Sequence, residues 1–412
     1  MRLTMNERRS VTKVIANRYK NASKKEKSAI LDEFVNLTGY NRSYACWLLS
    51  SEGKTLHLSS GLAIKGAHDK KSPKAVTRIY DDLVVSALVK VWTIMDQICG
   101  KRLAPILPEI IPILESFGEI NLDLTTRDKL MVISASTIDR LLSSERKKLS
   151  FSSKTKTKPG TLLKNQIPIR TFSDWDDLRP GFVEIDLVGH DGGLGSGDYL
   201  QTLDVTDVST GWTETQAVRN KAQVWVFEAL KEIRERLPFD LLGIDSDNGS
   251  EFINNHLLRY CKEQAITLTR ARSYRKNDNC FVEQKNYSVV RRAVGYFRYD
   301  TEEELSLLNQ LYSHLRLYTN YFQPSMKLME KSREGSKVKK RYDRARTPYQ
   351  RVMESGQVTK QQKQKLRRQY AKLNPAELKR KITILQNKLI DIARLKQTAM
   401  QNQRGLAASG KR

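Results

Sequence analysis

The sequence has few of the residues that build disulfide-bonded or zinc-dependent domains. Its 412 residues include four cysteines and five histidines, all far apart, without a CxxC or HxxxH pair. This spacing argues against a disulfide framework and against a cysteine-rich zinc site. No apolar run approaches the roughly 20 residues that a membrane-spanning helix needs, and the start has no apolar signal-peptide core. We therefore expect a protein of the reducing cytoplasm with no membrane partner.

Acidic residues are scarce relative to basic ones. Lysine and arginine total 72 against 46 aspartates and glutamates, which gives a formal net charge of +26. Such an excess favours a polyanionic partner, because lysine and arginine displace condensed counterions from phosphates. Solubility alone is the alternative explanation. We expect double-stranded DNA as the partner and association with the nucleoid.

Residues 1–60 have the order helix, glycine-containing turn, helix that is typical of a helix-turn-helix. Thr38-Gly39-Tyr40 would form the turn, and Trp47 and Leu48 of the second helix would pack inward. An ordinary helical hairpin is the alternative. The residues that this interpretation presents to a major groove are Arg42, Ser43 and Tyr44.

Two further segments complete the N-terminal part. Residues 61–75 read as a linker, and residues 76–150 as a second helical DNA-binding module, also of helix-turn-helix type. A basic linker, residues 151–175, follows. The exposed reading residues of the second module would be Ser136, Thr137 and Arg140.

The pattern changes in residues 176–330 to short β-branched and aromatic runs separated by turns. Three such runs form predicted hairpins, and strands then alternate with helices, the last of which covers about residues 280–298. This order predicts a mixed sheet with helices on its faces. The first three predicted strands are Phe182–Val188, Tyr199–Val205 and Trp212–Val218.

The C-terminal part reads as basic and helical. Residues 331–372 are expected to bind DNA. Residues 373–400 carry an apolar stripe at heptad spacing, which fits either a dimeric coiled coil or an amphipathic helix packed on its own chain. Residues 401–412 lack apolar periodicity and are expected to be a disordered tail.

Three acidic residues stand in distinctive contexts within residues 176–330. Asp186 lies in GFVEIDLVGH, Asp247 in IDSDNGSEF and Glu283 in KNDNCFVEQKN, and 35 residues lie between the second and the third. Carboxylates suit Mg²⁺, and two such ions can stabilise both the attacking and the leaving oxygen of a phosphodiester. Burying a single carboxylate in an apolar strand costs free energy unless it has a partner, so we expect Asp186 to have one.

Each acid also has a simpler explanation. An aspartate before Asn-Gly is often a turn residue, and a glutamate early in a helix complements the helix dipole. Asp245 could take the place of Asp247. The joint occurrence of the three motifs favours a catalytic role for Asp186, Asp247 and Glu283.

These motifs and their spacing resemble the acidic triad of the retroviral integrase and DDE transposase superfamily, and in particular insertion-sequence transposases with an integrase-type core. The resemblance covers residues 176–330 and implies an RNase H-like α/β core with a mixed five-stranded sheet. It also implies that Asp186 and Asp247 bridge two Mg²⁺ ions, for which Mn²⁺ would substitute, and that Glu283 completes one coordination shell. Tyr287 and Val290 stand where retroviral integrases carry lysines, and no His/Cys zinc module precedes the core, so transposases match better.

The resemblance implies a DNA transposase, acting in DNA integration and recombination as a homo-oligomer on DNA. It would hydrolyse one strand at each element end and join the freed 3′-OH to target DNA. A metal-dependent nuclease on the same fold and a DNA-binding repressor with an inactive core remain alternatives. Candidate DNA contacts near the third acid are Lys276, Asn277, Lys285, Asn286, Arg291 and Arg292.

Overall fold

The computed structural model describes most of the chain. The described residues are 3–57, 63–65, 79–148, 179–247, 249, 251–252, 254–270 and 280–409. They divide into two compact units, Met1–Ile79 and Tyr80–Arg412. The predicted linker 151–175 lies outside the described residues, as does most of the predicted linker 61–75.

The described residues of the first unit form three helices and one short strand pair. Its elements are α1 (Met5–Asn21), α2 (Lys24–Thr38), α3 (Arg42–Ser51), β1 (Thr55–His57) and β2 (Ala63–Lys65). Gly39 ends α2 with a φ of 70°, a conformation that glycine adopts without steric cost, and the Asn41 side chain then caps α3. The expected helix, turn and helix are therefore present.

One packing prediction for this unit is wrong. Leu48 is buried against Phe34 and its neighbours, but Trp47 is 53% exposed. The Trp47 ring stacks on Tyr44, with 6.0 Å between the ring centroids. Successive residues of a helix point about 100° apart, so Trp47 lies outside the stripe that Ala45, Leu48 and Leu49 bury.

The second unit begins with short helices that share the core of the rest of the unit. Leu88 and Leu130 belong to the same buried cluster as Leu311 and Leu389. Arg102 Nε donates to Pro324 O at 2.5 Å. These helices are α4 (Asp82–Ile94), α5 (Gly100–Leu103), α6 (Leu107–Ser116), α7 (Leu124–Val132), α8 (Ala135–Leu141) and α9 (Ser143–Lys148).

In the described residues a mixed five-stranded sheet forms the centre of the second unit, as predicted. Its order is β5-β4-β3-β6-β7. The first three strands in sequence pair antiparallel, and β6 and β7 run parallel to β3. The strands are β3 (Phe182–Gly189), β4 (Gln201–Asp207), β5 (Thr213–Val218), β6 (Gly243–Ser246) and β7 (Thr267–Arg270).

Helices flank the sheet. One face of the sheet is apolar, with Ile185, Leu203 and Ile244 packed in one cluster with residues of α10 and α11. The predicted helix over residues 280–298 is shorter than expected: it ends at Val294, because Gly295 adopts a φ of 68°. The elements are α10 (Gln223–Arg236), α11 (Asn255–Glu263), α12 (Cys280–Lys285), a π-helical segment (Asn286–Arg291), α13 (Arg292–Val294) and α14 (Glu302–Phe322).

The C-terminal part departs from the prediction in two ways. Its first residues form a β-hairpin instead of a helix, and the segment expected to be disordered from residue 401 is helical as far as Ser409. The elements are β8 (Leu328–Glu334), β9 (Lys337–Tyr342), α15 (Pro348–Glu354), α16 (Lys360–Tyr370) and α17 (Pro375–Ser409).

The heptad stripe of α17 packs on its own chain. Leu389 is fully buried in the cluster that includes Leu311 of α14, and Lys396 Nζ contacts the buried Glu304 carboxylate at 2.7 Å. Of the two interpretations of the stripe, the amphipathic helix packed on its own chain is therefore the one realised. Among the described helices, none combines the length and apolar character needed to cross a membrane.

Candidate active site

The face of the sheet opposite α10 and α11 carries carboxylates. Side chains alternate along a strand, so Glu184 and Asp186 of β3 share this face. The register pairs Asp186 with Asp204 and Glu184 with Asp245, which brings two more acids to the same face. Glu184, Asp204 and Asp245 are fully buried.

Asp247 lies beside Asp186 because of the parallel pairing between β3 and β6. Ser246 pairs with Ile185, so the next residue of each strand is one of the two acids. Gly249 N donates to Asp247 Oδ1 at 2.8 Å, which forms the predicted tight turn. Asn248 of the predicted turn lies outside the described residues.

Glu283 is carried by α12, and Glu184 holds the start of this helix. The buried Glu184 carboxylate accepts hydrogen bonds from Phe281 N at 2.8 Å and Val282 N at 3.0 Å. Both donors are among the backbone N–H groups that a helix leaves without an internal partner at its start. Strand β3 therefore carries Asp186 and also fixes the helix that carries the exposed Glu283.

The pKa of Asp186 indicates that Asp247 and Glu283 both lie within electrostatic range of it. Burial, together with the negative charges of Asp247 and Glu283, raises the pKa of Asp186 to about 7, against hydrogen bonds that lower it. Those bonds come from Leu187 N at 2.8 Å and Asn286 Nδ2 at 2.6 Å. Burial also raises the pKa of Asp247.

A fourth carboxylate and a lysine border the triad. Burial raises the pKa of Asp204 to about 8, against a lowering effect of the Lys285 charge. Burial in turn lowers the pKa of Lys285 to about 8, although the nearby Asp204 carboxylate favours its charged form. Lys285, predicted to contact DNA, therefore lies half-buried beside the acidic face.

The donor set fits a hard divalent cation, although its side chains do not converge in this structure. Among the described residues, no group of three or more His, Cys, Asp or Glu side chains lies close enough to hold a metal ion. The repulsion that raises the pKa of Asp186 is one that cations would relieve. Asn286 Oδ1 and Asp204 Oδ2 are also buried without a hydrogen-bond partner in the described structure. The residues that would hold Mg²⁺ are Asp186, Asp247 and Glu283.

The other acids near the triad have structural partners. Asp245 accepts from Thr269 Oγ1 at 2.6 Å, which gives it a role inside the sheet. Asp207 accepts from Gly181 N at 2.8 Å and Thr210 N at 2.7 Å, and so closes the turn after β4. Neither carboxylate is oriented toward Asp186 by these bonds.

His190, four residues after Asp186, belongs to the core. It is fully buried, and its Nε2 lies 2.7 Å from Thr202 Oγ1. Burial lowers the pKa of His190 to about 3, so the ring is neutral at physiological pH. It is a packed core residue and not a member of the acidic site.

Several residues predicted to contact DNA have contacts within the protein. Arg291 donates to Gly189 O at 2.7 Å, Arg292 forms an ion pair with Asp96 at 2.9 Å, and Asn286 is bonded to Asp186. Lys276 and Asn277 lie outside the described residues.

The predicted reading residues of the helical segments lie at the surface. Arg42 pairs with Asp32 of α2, whereas Ser43 and Tyr44 are exposed. In the second segment Ser136 and Arg140 are exposed, and Arg140 donates to the half-buried Thr137 at 3.1 Å.

Sequence reasoning missed the roles of Glu184 and Asn286. Glu184 stands two residues before Asp186, so the strand period already places both on one face. Asn286 follows Glu283 by three residues, which puts the two side chains on neighbouring positions of a helix. Only the distances of 2.6 to 3.0 Å show what they bind.

No protein-family model matches the chain. The uncharacterized protein y4rM of Sinorhizobium fredii is 40% identical over 341 residues, which is 83% of this chain and 93% of that protein. The chain therefore belongs to the family of y4rM.

Two solved structures similar to part of the chain are retroviral integrase catalytic cores. That of BIV integrase covers 41% of this chain and 91% of its own, at 16% identity and a TM-score of 0.28. That of HTLV-2 integrase, solved as a dimer with magnesium, covers 36% and 92%, at 14% identity and a TM-score of 0.28.

Proposed function

We propose that this protein is a DNA transposase that cleaves DNA at the ends of its own element and joins the freed 3′-OH to target DNA. The observation that carries the proposal is that β3, the strand of Asp186, pairs with β6, which leads directly to Asp247, and also anchors α12, the helix of Glu283. A net charge of +26 suits a nucleic-acid substrate.

The chain's own residues would bind and orient the reacting groups. A bound pair of Mg²⁺ or Mn²⁺ ions supplies stabilisation of charge on the attacking and leaving oxygens. Asp186 and Asp247 would hold both ions and Glu283 one of them. Asn286 fixes the rotamer of Asp186 through its 2.6 Å bond. In the first step a water molecule attacks the phosphorus at the element end, and the bond to the 3′ oxygen breaks to leave the free 3′-OH. In the second step this 3′-OH attacks a phosphorus of the target, and the target strand's own 3′ oxygen leaves as a hydroxyl. Both attacks are in line, without a covalent intermediate on the protein.

DNA recognition is assigned to the flanking segments. The exposed surface of α3, with Ser43 and Tyr44, would read the element ends, and α8 would extend the contact through Ser136 and Arg140. In the basic segment 331–372, the basic residues whose charge is not balanced by a neighbouring acid would bind the phosphate backbone. Two ends must be brought together before joining, so a homo-oligomer on DNA is part of the proposal.

The test compares Asp247→Asn with Asp245→Asn in the full-length protein. The substrates are a labelled duplex from the DNA flanking the gene and a supercoiled plasmid, with Mg²⁺ or Mn²⁺. We expect the wild type and Asp245→Asn to nick the duplex at its end and join it to plasmid. Asp247→Asn should bind the duplex with unchanged affinity and do neither. Asp245 accepts a hydrogen bond from Thr269 Oγ1 within the sheet, so its replacement should leave the three proposed metal-binding carboxylates in place.

The other outcomes separate the competing functions. Nicking without joined products would favour a metal-dependent nuclease on this fold. Tight binding without cleavage by the wild type, in either metal, would favour a repressor with an inactive core. Cleavage by Asp247→Asn at the wild-type rate would exclude the assignment of the triad.

A further inference from the structure

The β8–β9 hairpin is exposed on both sides. Nearly every described side chain in residues 328–342 is exposed, including Met329 at 67% and Tyr342 at 46%. A two-stranded sheet without a covering layer gains little stability from burial. Its composition is also unusual, because lysine and arginine outnumber acids in KLMEKSREGSKVKKRYDRAR, residues 327–346.

The strand register divides the hairpin into two different faces, since directly paired residues of antiparallel strands lie on the same face. On the first face Lys339 pairs with Glu334 at 2.8 Å and Arg341 lies 3.9 Å from Glu330. The positive charges of this face are therefore largely balanced within the hairpin. We call it the paired face; its register positions are Glu330, Ser332, Glu334, Lys337, Lys339 and Arg341.

None of the hairpin residues on the second face is acidic. Within the described residues, neither Arg333 nor Lys340 forms an ion pair with an acid; Arg333 Nε donates only to Gly335 O, at 3.2 Å. The register also pairs the backbone of Lys331 with that of Lys340, so this face has a third basic position in its sequence. We call this the basic face; its register positions are Leu328, Lys331, Arg333, Val338, Lys340 and Tyr342.

The base of the hairpin is fixed to the second unit. Lys327 N donates to Asp343 Oδ1 at 2.6 Å, and Lys327 Nζ donates to Val208 O at 2.7 Å, in the turn after β4. Asp343 forms a largely buried ion pair with Arg351 of α15 at 2.8 Å, and Arg351 also donates to Ser325 O at 3.0 Å. A hairpin held in this way projects in a set direction from the sheet that carries Asp186.

We propose that the β8–β9 hairpin is a DNA-binding ribbon that lies in the major groove of double-stranded DNA with its basic face toward the phosphates. The major groove, about 12 Å wide, admits a two-stranded ribbon. Strands of 7 and 6 residues extend over about 20 Å. Arg333 and Lys340 would contact the backbone; by the register Val338 lies opposite Arg333, and Tyr342 follows Lys340 on the same face. The inference rests on the proposed function, since DNA is the substrate there.

The test uses two double variants of the full-length protein with the same change of net charge. Arg333→Gln with Lys340→Gln removes two charges from the basic face, and Lys339→Gln with Arg341→Gln removes two from the paired face. Duplex affinity is measured from 50 to 200 mM salt. The slope of log K against log salt falls by about 0.9 for each lost phosphate contact, so the basic-face variant should lose a slope of about 1.8 and at least tenfold in affinity.

The control and the outcomes keep this proposal separate from the proposed function. The paired-face variant should keep a slope near that of the wild type, and both variants should melt like the wild type because these side chains are exposed. Equal losses in the two variants, or no loss in either, would overturn the ribbon. If only the basic-face variant loses affinity and the wild type never cleaves DNA, the DNA-binding ribbon is supported and the transposase is refuted. If the wild type joins DNA normally and the two variants bind alike, the transposase is supported and the ribbon is refuted.

Discussion

Replacing Glu184 by glutamine tests whether strand β3 controls the third acid of the site. The Glu184 carboxylate is fully buried and accepts from Phe281 N and Val282 N, at 2.8 and 3.0 Å. Glutamine has nearly the same shape and keeps one acceptor oxygen, but it loses the negative charge. The helix that carries Glu283 would then start without a charged anchor.

The expected loss follows from these two bonds. A hydrogen bond to a charged group contributes about 1.5–3 kcal/mol and a neutral one about 0.5–1.5 kcal/mol. The difference is roughly 1 kcal/mol for each bond, and therefore about 2 kcal/mol for the pair. A local opening free energy lowered by about 2 kcal/mol corresponds to roughly 30-fold faster exchange of the amides that depend on it.

Hydrogen exchange and Mn²⁺ binding measure this effect. We expect the amides of Phe281 and Val282 to lose about 30-fold in protection in Glu184→Gln, and Mn²⁺ affinity to fall because Glu283 is less well held. Mn²⁺ affinity reports on ligand geometry without requiring turnover. A purely structural role of Glu184 would lower the unfolding free energy without changing that affinity.

Glu304→Gln is the matched control. Glu304 is also fully buried, and its carboxylate accepts from Asp300 N at 2.9 Å and Thr301 N at 3.0 Å at the start of α14. We expect a comparable loss of stability and unchanged Mn²⁺ affinity. If both variants weaken Mn²⁺ equally, or if Glu184→Gln changes neither exchange nor affinity, the reasoning is refuted.

Two further predictions concern pH and the first unit. Because the fold raises the pKa of Asp186 from 3.8 to about 7, the folded state holds that proton more tightly than the unfolded chain does. The unfolding free energy should therefore fall as pH rises from about 4 to 7, and urea titrations of Asp186→Asn should show a smaller fall. Trp47→Ser, at an exposed position, should change the unfolding free energy by less than about 0.5 kcal/mol and weaken binding to element-end duplex; wild-type binding would remove Trp47 from the DNA-reading surface.

Much of the fold could be predicted from the sequence because it depends on local chemistry. β-branched runs between turns predicted β3, β4 and β5, and a glycine after Thr38 predicted the end of α2. The Asn-Gly turn after Asp247 predicted a sharp exit from a strand. Because side chains alternate between the two faces of a strand, the sequence also places Glu184 and Asp186 on one face. In each case the residues that determine the feature lie within a few positions of it.

The charge excess and the three acidic motifs are likewise properties of the sequence alone. The charge predicted DNA as the partner, and the motifs predicted the acidic triad. Only the tertiary structure decided how the acids are held. The antiparallel register brings Asp204 beside Asp186, and the docking of α12 on β3 lets Glu184 bond a helix 97 residues away in the chain. The hairpin at 328–342 became a ribbon with two unlike faces only through its cross-strand pairing. Pairing and docking join residues that are distant in sequence, and their free energy comes from packing and buried hydrogen bonds, which no local pattern encodes.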